Sequence, residues 1–248
     1  MTFDEGWPNV DQRSTIRLFH INLNGVTANN NFLEWEMTIA FLMDMQVDIF
    51  GLSEINLDLH NGIVKDNIIQ GGRHFDPYIK MATSSSLQKL GNSPFKMGGT
   101  ITGTNGCWSG RISDQGCDRL GRWSYIKLQA RQEQQVVIIT VYVPCKPTNE
   151  GGGTTIHDQM EADLLKETGK LLNPTKELLR DLHIFITTET NKGNTIFLMG
   201  DMNDDLGIEE GQIRTFLKSL GMTMPYTTRH GETQKLPPTH DRGKNVLI

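Results

Sequence analysis

Cysteine is scarce in this 248-residue chain, with Cys107, Cys117 and Cys145 the only three and no C-x-x-C pair among them. They are too scattered for a zinc site or a disulfide framework. A reducing, intracellular compartment, nucleus or cytoplasm, is the simplest expectation, with no disulfide-linked partner. No N-x-S/T sequon with a permissible middle residue occurs. The longest strongly apolar run, Val136 to Val143, is too short to cross a bilayer, so no membrane partner is expected. The opening residues Met1-Thr2-Phe3-Asp4-Glu5 lack the basic and apolar regions of a secretory signal. Glycine (25) and proline (9) stay near ordinary usage, which removes collagen-like and wholly disordered readings. Net basic charge is missing too. At −5 the chain does not resemble a non-specific DNA coat protein.

What is present is unevenly spread. Residues 70–131 hold nine Lys/Arg (among them Arg73, Lys80, Lys89, Lys96, Arg111, Arg119 and Arg122) against Asp76, Asp114 and Asp118. A local positive face for phosphates is one reading of that stretch, and an ordinary solvated surface is the other. Residues 1–14 are polar and read as a flexible N-terminal tail, with one domain over 15–248. Ile16 to Leu23 reads as a strand running into the Asn24-Gly25 turn. Asn31 to Gln46 follows as a helix, with Phe32, Trp35, Ile39, Leu42 and Met43 on one face. Asp48 to Ser53 is a second strand, and Asn61 to Leu90 is mixed. A β region begins at Gly98 to Thr102, and Trp123 to Leu128 with Val136 to Val143 form a hairpin. Helices are expected at about Ile156–Leu172 and Thr175–Thr188, with Pro174 in the first turn of the second. Thr195 to Met199 is a strand and Glu209 to Leu220 a short helix stopped by Gly221. Interleaved strands and helices with hairpins predict mixed sheets covered by helices.

Polar groups fall at the ends of the buried strands. Asn22 and Asn24 end the first, Glu54 the second, Tyr142 lies near the end of VVIITVYV, and Asp201 and Asn203 follow TIFLM. Ends of core strands are rigid places to assemble a site. One carboxylate, an amide oxygen and phosphate oxygens suit Mg²⁺, which takes few protein ligands and keeps several waters. Each residue also has a plainer reading. Asn22 and Asn24 can serve only the Asn-Gly turn, Glu54 can be a solvent-facing strand end, Tyr142 can be core, and Asp201 can make an Asx-turn. Asp201, Asn203 and Asp205 imitate the opening of an EF-hand. However, Leu206 stands where that loop needs Gly and Gln212 where it needs Glu, and a strand precedes them. The glycines at 151–153 lack a P-loop Lys-Ser/Thr, and no nucleophile elbow occurs.

Taken in order, these segments resemble the endonuclease/exonuclease/phosphatase superfamily, and within it the apurinic-endonuclease-like domains of non-LTR retrotransposons. FHINLNG, DIFGLSEINLD, VYVP and LMGDMND look like that family's four successive motifs, and GGTITGTNG and GRWSYIKL are similar to its intervening text. The resemblance implies an α/β, DNase I-like four-layer sandwich of two packed mixed β-sheets flanked by helices. It also implies Mg²⁺-dependent (or Mn²⁺-dependent) phosphodiester hydrolysis. Glu54, helped by Asn22, would hold the metal. Tyr142 would contact the phosphate, Asp201 would orient or deprotonate the attacking water, and Asn203 would stabilise the pentacovalent state. Asn24 stands where many relatives carry an acid. The family's later I-D-x-I and Ser-Asp-His elements have no counterpart here, since LPPTHDRGKNVLI only leads toward the first, so the resemblance implies a domain lacking its final strands. His230 and His240 sit in polar text and are poor substitutes for the missing histidine. Three functions follow as expectations. The first is a DNA-nicking endonuclease with a reverse transcriptase domain encoded downstream. The others are an inactive remnant that at most binds nucleic acid, and a relative acting on small phosphoesters.

Overall fold

The computed structural model describes residues 15–28, 32–87, 96–131, 133–145, 155–204 and 211–231. The 1–14 tail, the 151–153 glycines, Lys89, Asp205, His240 and the LPPTHDRGKNVLI segment lie outside them. The chain divides into two compact units, Met1–Tyr142 with Gly193–Asp201, and Val143–Lys192 with Met202–Ile248.

The first unit holds every strand among the described residues. One four-stranded sheet runs in the order β1 (Leu18–Asn22), β2 (Ile49–Ser53), β4 (Thr100–Thr104), β3 (Lys80–Ser84). The other runs β5 (Ile112–Cys117), β6 (Trp123–Gln129), β7 (Gln135–Tyr142), β8 (Thr195–Asp201). Both are mixed. β1 and β2 are parallel, as are β7 and β8, and the other neighbours are antiparallel. This is the α/β architecture of two mixed sheets with helices that the sequence predicts.

Side-chain alternation along β2 shows how the layers are filled. Phe50 and Leu52 join Trp35, Ile39 and Leu42 of α1 (Leu33–Asp44) and Val64 and Ile68 of α2 (Gly62–Phe75) in one core. Ile49, on the opposite face, packs with Ile126, Leu128 and Ile138 of the second sheet. Gly51 shares that face, where an added Cβ would stand 2.6 Å from Thr140 Oγ1. The helix face expected on α1 is the one that is buried.

Helix α2 falls in text that reads as mixed. Its buried stripe is Val64, Ile68 and Gly72, so glycine takes the third apolar position. The reason is close packing. A Cβ on Gly71 would lie 2.8 Å from the Trp35 ring, and one on Gly72 would lie 3.2 Å from Ile79. The Trp35 indole N–H seals the pair by donating to the Ile68 carbonyl at 2.8 Å. Strand β5 carries no apolar alternation to reveal it, being a polar edge strand with only one neighbour.

The second unit is helical among its described residues. It comprises α3 (Ile156–Thr168), α4 (Pro174–Asn191), α5 (Gln212–Ser219) and α6 (Pro225–His230). Thr155 and Asp158 cap α3 reciprocally, and Gly169 ends it in the left-handed conformation. Asn173 caps α4, with Pro174 in its first turn. None of the described helices is long and apolar enough to cross a membrane.

Candidate functional site

The carboxyl ends of the two parallel strand pairs meet across the sheets. Asn22 closes β1 opposite Ser53, the last residue of β2, and Glu54 follows directly. Tyr142 closes β7 opposite Asp201, which closes β8. The expected strand Thr195–Met199 therefore runs two residues further and carries the aspartate itself. At these strand ends two side-chain hydrogen bonds cross from sheet to sheet. Asn22 Nδ2 donates to Asp201 Oδ2 at 2.7 Å, and the Tyr142 hydroxyl donates to Glu54 Oε1. Four of the five sequence-predicted residues are thus brought together in the first unit.

Asn22 both builds the turn and reaches across the sheets. Its amide oxygen accepts the Asn24 N–H at 2.8 Å, which builds the turn, while its amide nitrogen reaches Asp201. Asn24 is exposed and left-handed, with φ of 52°. Tyr142 is likewise a core residue with a polar partner across the sheets. It is 2% exposed, yet its hydroxyl meets a half-buried carboxylate. Asn203 belongs to the second unit, where its amide nitrogen donates to the Val143 carbonyl at 2.8 Å. His230 is exposed on α6, its ring 4.6 Å from Tyr226.

The backbone is also unusual at two of these motifs. Glu54 has φ of 52°, in the left-handed region that residues with a Cβ adopt infrequently. Gly200, before Asp201, has φ of 152°, and a Cβ there would fall 2.0 Å from the Val141 carbonyl oxygen. Only glycine lets β8 approach β7 closely enough to end on Asp201.

One residue at the site escapes sequence reasoning. His20 lies two positions before Asn22, so both side chains leave the same face of β1. Its Nε2 is 3.2 Å from Ser53 Oγ. The available signal is a polar residue within the apolar run Leu18 to Ile21, at even spacing from Asn22. Burial pushes the His20 pKa from 6.5 down to about 4, opposed by the Asp201 charge. Stability from a buried neutral histidine is fully present above its unfolded pKa and is lost as pH falls from about 6.5 toward 4. The shift corresponds to on the order of 3 kcal/mol over that window. Thermal melts at pH 7 and pH 5 should therefore show a larger loss for wild type than for His20→Gln, and equal losses would contradict this origin.

Among the described residues no three His, Cys, Asp or Glu side chains cluster. The available set is oxygen-only, namely the Glu54 carboxylate and the Asn22 amide oxygen. Glu54 Oε2 accepts no hydrogen bond among the described residues, which leaves it open to a cation. A hard ion that takes one or two carboxylates and retains waters fits that set.

The basic stretch proves less available than its composition suggests. Lys96, 2% exposed, pairs with Asp58 at 3.1 Å, and Arg122, also 2% exposed, forms a two-pronged pair with Asp118. Lys127 pairs with Asp114 at 3.0 Å. These cations serve the fold, and Arg73, Lys80, Arg111, Arg119 and Arg131 lie on separate elements or loops.

No protein-family model matches the chain, and no curated protein matches it by sequence. Solved structures do match. The catalytic domain of Xenopus laevis APE2 aligns with a TM-score of 0.56 at 13% identity, over 88% of this chain and 73% of that one. The human Nocturnin catalytic domain with bound sulfate aligns at 0.53 and 11% identity, over 90% and 76%. A 3′ phosphatase from Neisseria, NExo, bound to a product DNA hairpin, aligns at 0.50 and 15% identity, over 83% and 70%. At such identities the likeness is one of fold, and it is to proteins of the endonuclease/exonuclease/phosphatase fold.

Proposed function

We propose that this chain is a divalent-metal-dependent phosphodiesterase that nicks DNA, of the kind carried by retroelements. The observation that carries the reading is the pair of cross-sheet hydrogen bonds, Asn22 to Asp201 and Tyr142 to Glu54. They assemble, from four strands, the residue types that phosphodiester hydrolysis needs. The fold shared with APE2, Nocturnin and NExo supports the general class, and the text GGTITGTNG and GRWSYIKL supports the retroelement assignment.

In this reading Glu54 and Asn22 hold Mg²⁺, or Mn²⁺, which supplies Lewis-acid stabilisation to a phosphoryl oxygen. Asp201 accepts a proton from the attacking water, and Asn22 fixes the carboxylate by donating to one of its oxygens. Tyr142 keeps Glu54 aimed by donating its one hydroxyl proton to that carboxylate, and would exchange that bond for one to the phosphate when substrate binds. In part these donors are already oriented by their neighbours, so little reorganisation is needed at the transition state.

The chain incubated with supercoiled plasmid in Mg²⁺ should produce open circles, lose that activity in EDTA and regain it on adding Mg²⁺ back. Nicking that persists in EDTA would overturn the metal role. DNA binding with no nicking in either metal would favour the inactive remnant. Release of phosphate from small esters in preference to plasmid nicking would favour the third function.

A further inference from the structure

We propose that His20 is a positioning residue: it braces Ser53 and so sets the aim of the adjoining Glu54. The inference rests on the metal site of the proposed function and extends it to a residue outside that site's expected set. Ser53 is fully buried, and its side-chain hydroxyl has one partner among the described residues, His20 Nε2 at 3.2 Å. A buried hydroxyl left without a partner costs about 1–3 kcal/mol, so this contact fixes where the Ser53 side chain stands.

The parallel register explains why the brace acts on the site. His20 lies opposite Gly51 and Asn22 opposite Ser53. His20, Asn22 and Ser53 therefore share the face of the first sheet that meets the second. Gly51 carries no side chain of its own there, Thr140 and Met199 of the second sheet filling the space above it, and the imidazole spans from its own strand to Ser53 on the next. The brace thus ties the strand ending in Asn22 to the strand leading into Glu54.

Glu54 needs such a restraint. Its left-handed φ of 52° is unfavourable for a residue with a Cβ and persists only where the surroundings over-determine it. On its carboxyl side the backbone is held, with Gly25 N–H donating to the Glu54 carbonyl at 2.7 Å and Val26 N–H to the Ile55 carbonyl at 2.9 Å. On its amino side the Ser53 carbonyl accepts from Leu23 N–H at 3.0 Å. The side chain of Ser53 is held by His20.

The test compares His20→Leu, Ser53→Ala, the double variant and His20→Gln in the full chain. Three quantities are read: melting temperature, Mn²⁺ affinity by calorimetry, and kcat and KM for plasmid nicking. Partners that orient a metal ligand typically cost about 10- to 100-fold in metal affinity or activity when removed. His20→Leu should therefore lose about tenfold in Mn²⁺ affinity and in kcat, with KM unchanged. His20→Gln, whose amide can still donate to the Ser53 hydroxyl, should stay within about threefold of wild type, a loss of ~0.7 kcal/mol or less. The double variant removes both polar partners, so it should recover melting temperature while Mn²⁺ affinity stays low. Recovery of both would reduce His20 to a structural role and overturn the proposal, as would wild-type Mn²⁺ affinity in His20→Leu. A wild-type chain that binds Mn²⁺ but leaves plasmid intact sinks only the nuclease reading. One that binds no Mn²⁺ removes the metal site and the brace together.

Discussion

Asp201→Asn is expected to slow Mg²⁺-dependent nicking by about 10²- to 10⁴-fold, the range that a positioned acid–base group contributes. The substitution separates chemistry from architecture. An amide oxygen at that position still accepts from Asn22 Nδ2, so the 2.7 Å cross-sheet bond has a successor and the melting temperature should barely move. What is lost is the ability to take a proton from water at neutral pH. Asn22→Ala makes the complementary deletion. It leaves Asp201 its basicity but removes the donor that fixes it, the acceptor of the Asn24 N–H and one of the two groups assigned to the metal. Its expected loss is about 10²-fold, since a misplacement of about 1 Å at a reacting centre alone can cost that much, and unlike Asp201→Asn it should also weaken Mn²⁺ binding. Single-turnover nicking rates at saturating enzyme measure both. If Asp201→Asn retained more than a tenth of wild-type rate, the assignment of Asp201 as proton acceptor would fall.

The strands that end in the site were legible because burial on both faces leaves a continuous apolar signature, as in DIFGLS and VVIITVYV, and a polar residue closing such a run stands out. The helix α1 was legible for the corresponding reason, a 3.6-residue stripe from Trp35 to Leu42. Helix α2 hid because its close approach to Trp35 requires Gly71, a residue that reads as a break. Strand β5 hid because an edge strand needs no apolar alternation. Order along the chain also cannot state a distance. Asn22 and Asp201 are 179 residues apart, and nothing in either motif says that they hydrogen-bond. Nor does charge counting distinguish a cation that faces phosphate from one that serves a buried carboxylate. Lys96 and Arg122 are of the second kind. A histidine inside a strand ordinarily reads as a core residue, and the meaning of His20 depends on the register that sets it beside Ser53.

The backbone at Glu54 yields the sharpest separation of stability from activity. Glu54→Ala and Glu54→Gly delete the same carboxylate and the same acceptor of the Tyr142 hydroxyl, so their difference reports the main chain alone. In an ordinary extended strand alanine is the more stable of the two by roughly 0.5–1 kcal/mol, since glycine loses more conformational freedom on folding. At φ of 52° the order should invert. A Cβ in the left-handed region costs about 1–2 kcal/mol that glycine does not incur, so Glu54→Gly should outlast Glu54→Ala by about 1 kcal/mol in urea unfolding. Both should be nearly inactive. Losing the metal's principal carboxylate removes several kcal/mol of charge stabilisation, and at 1.36 kcal/mol per tenfold this means a fall of about 10²-fold or more in nicking. A glycine variant that is more stable than the alanine variant yet equally inactive would show that the strain belongs to the backbone and the function to the carboxylate. Alanine more stable than glycine would mean that Glu54 is not held left-handed. Wild-type nicking in either variant would mean that Glu54 does not hold the metal.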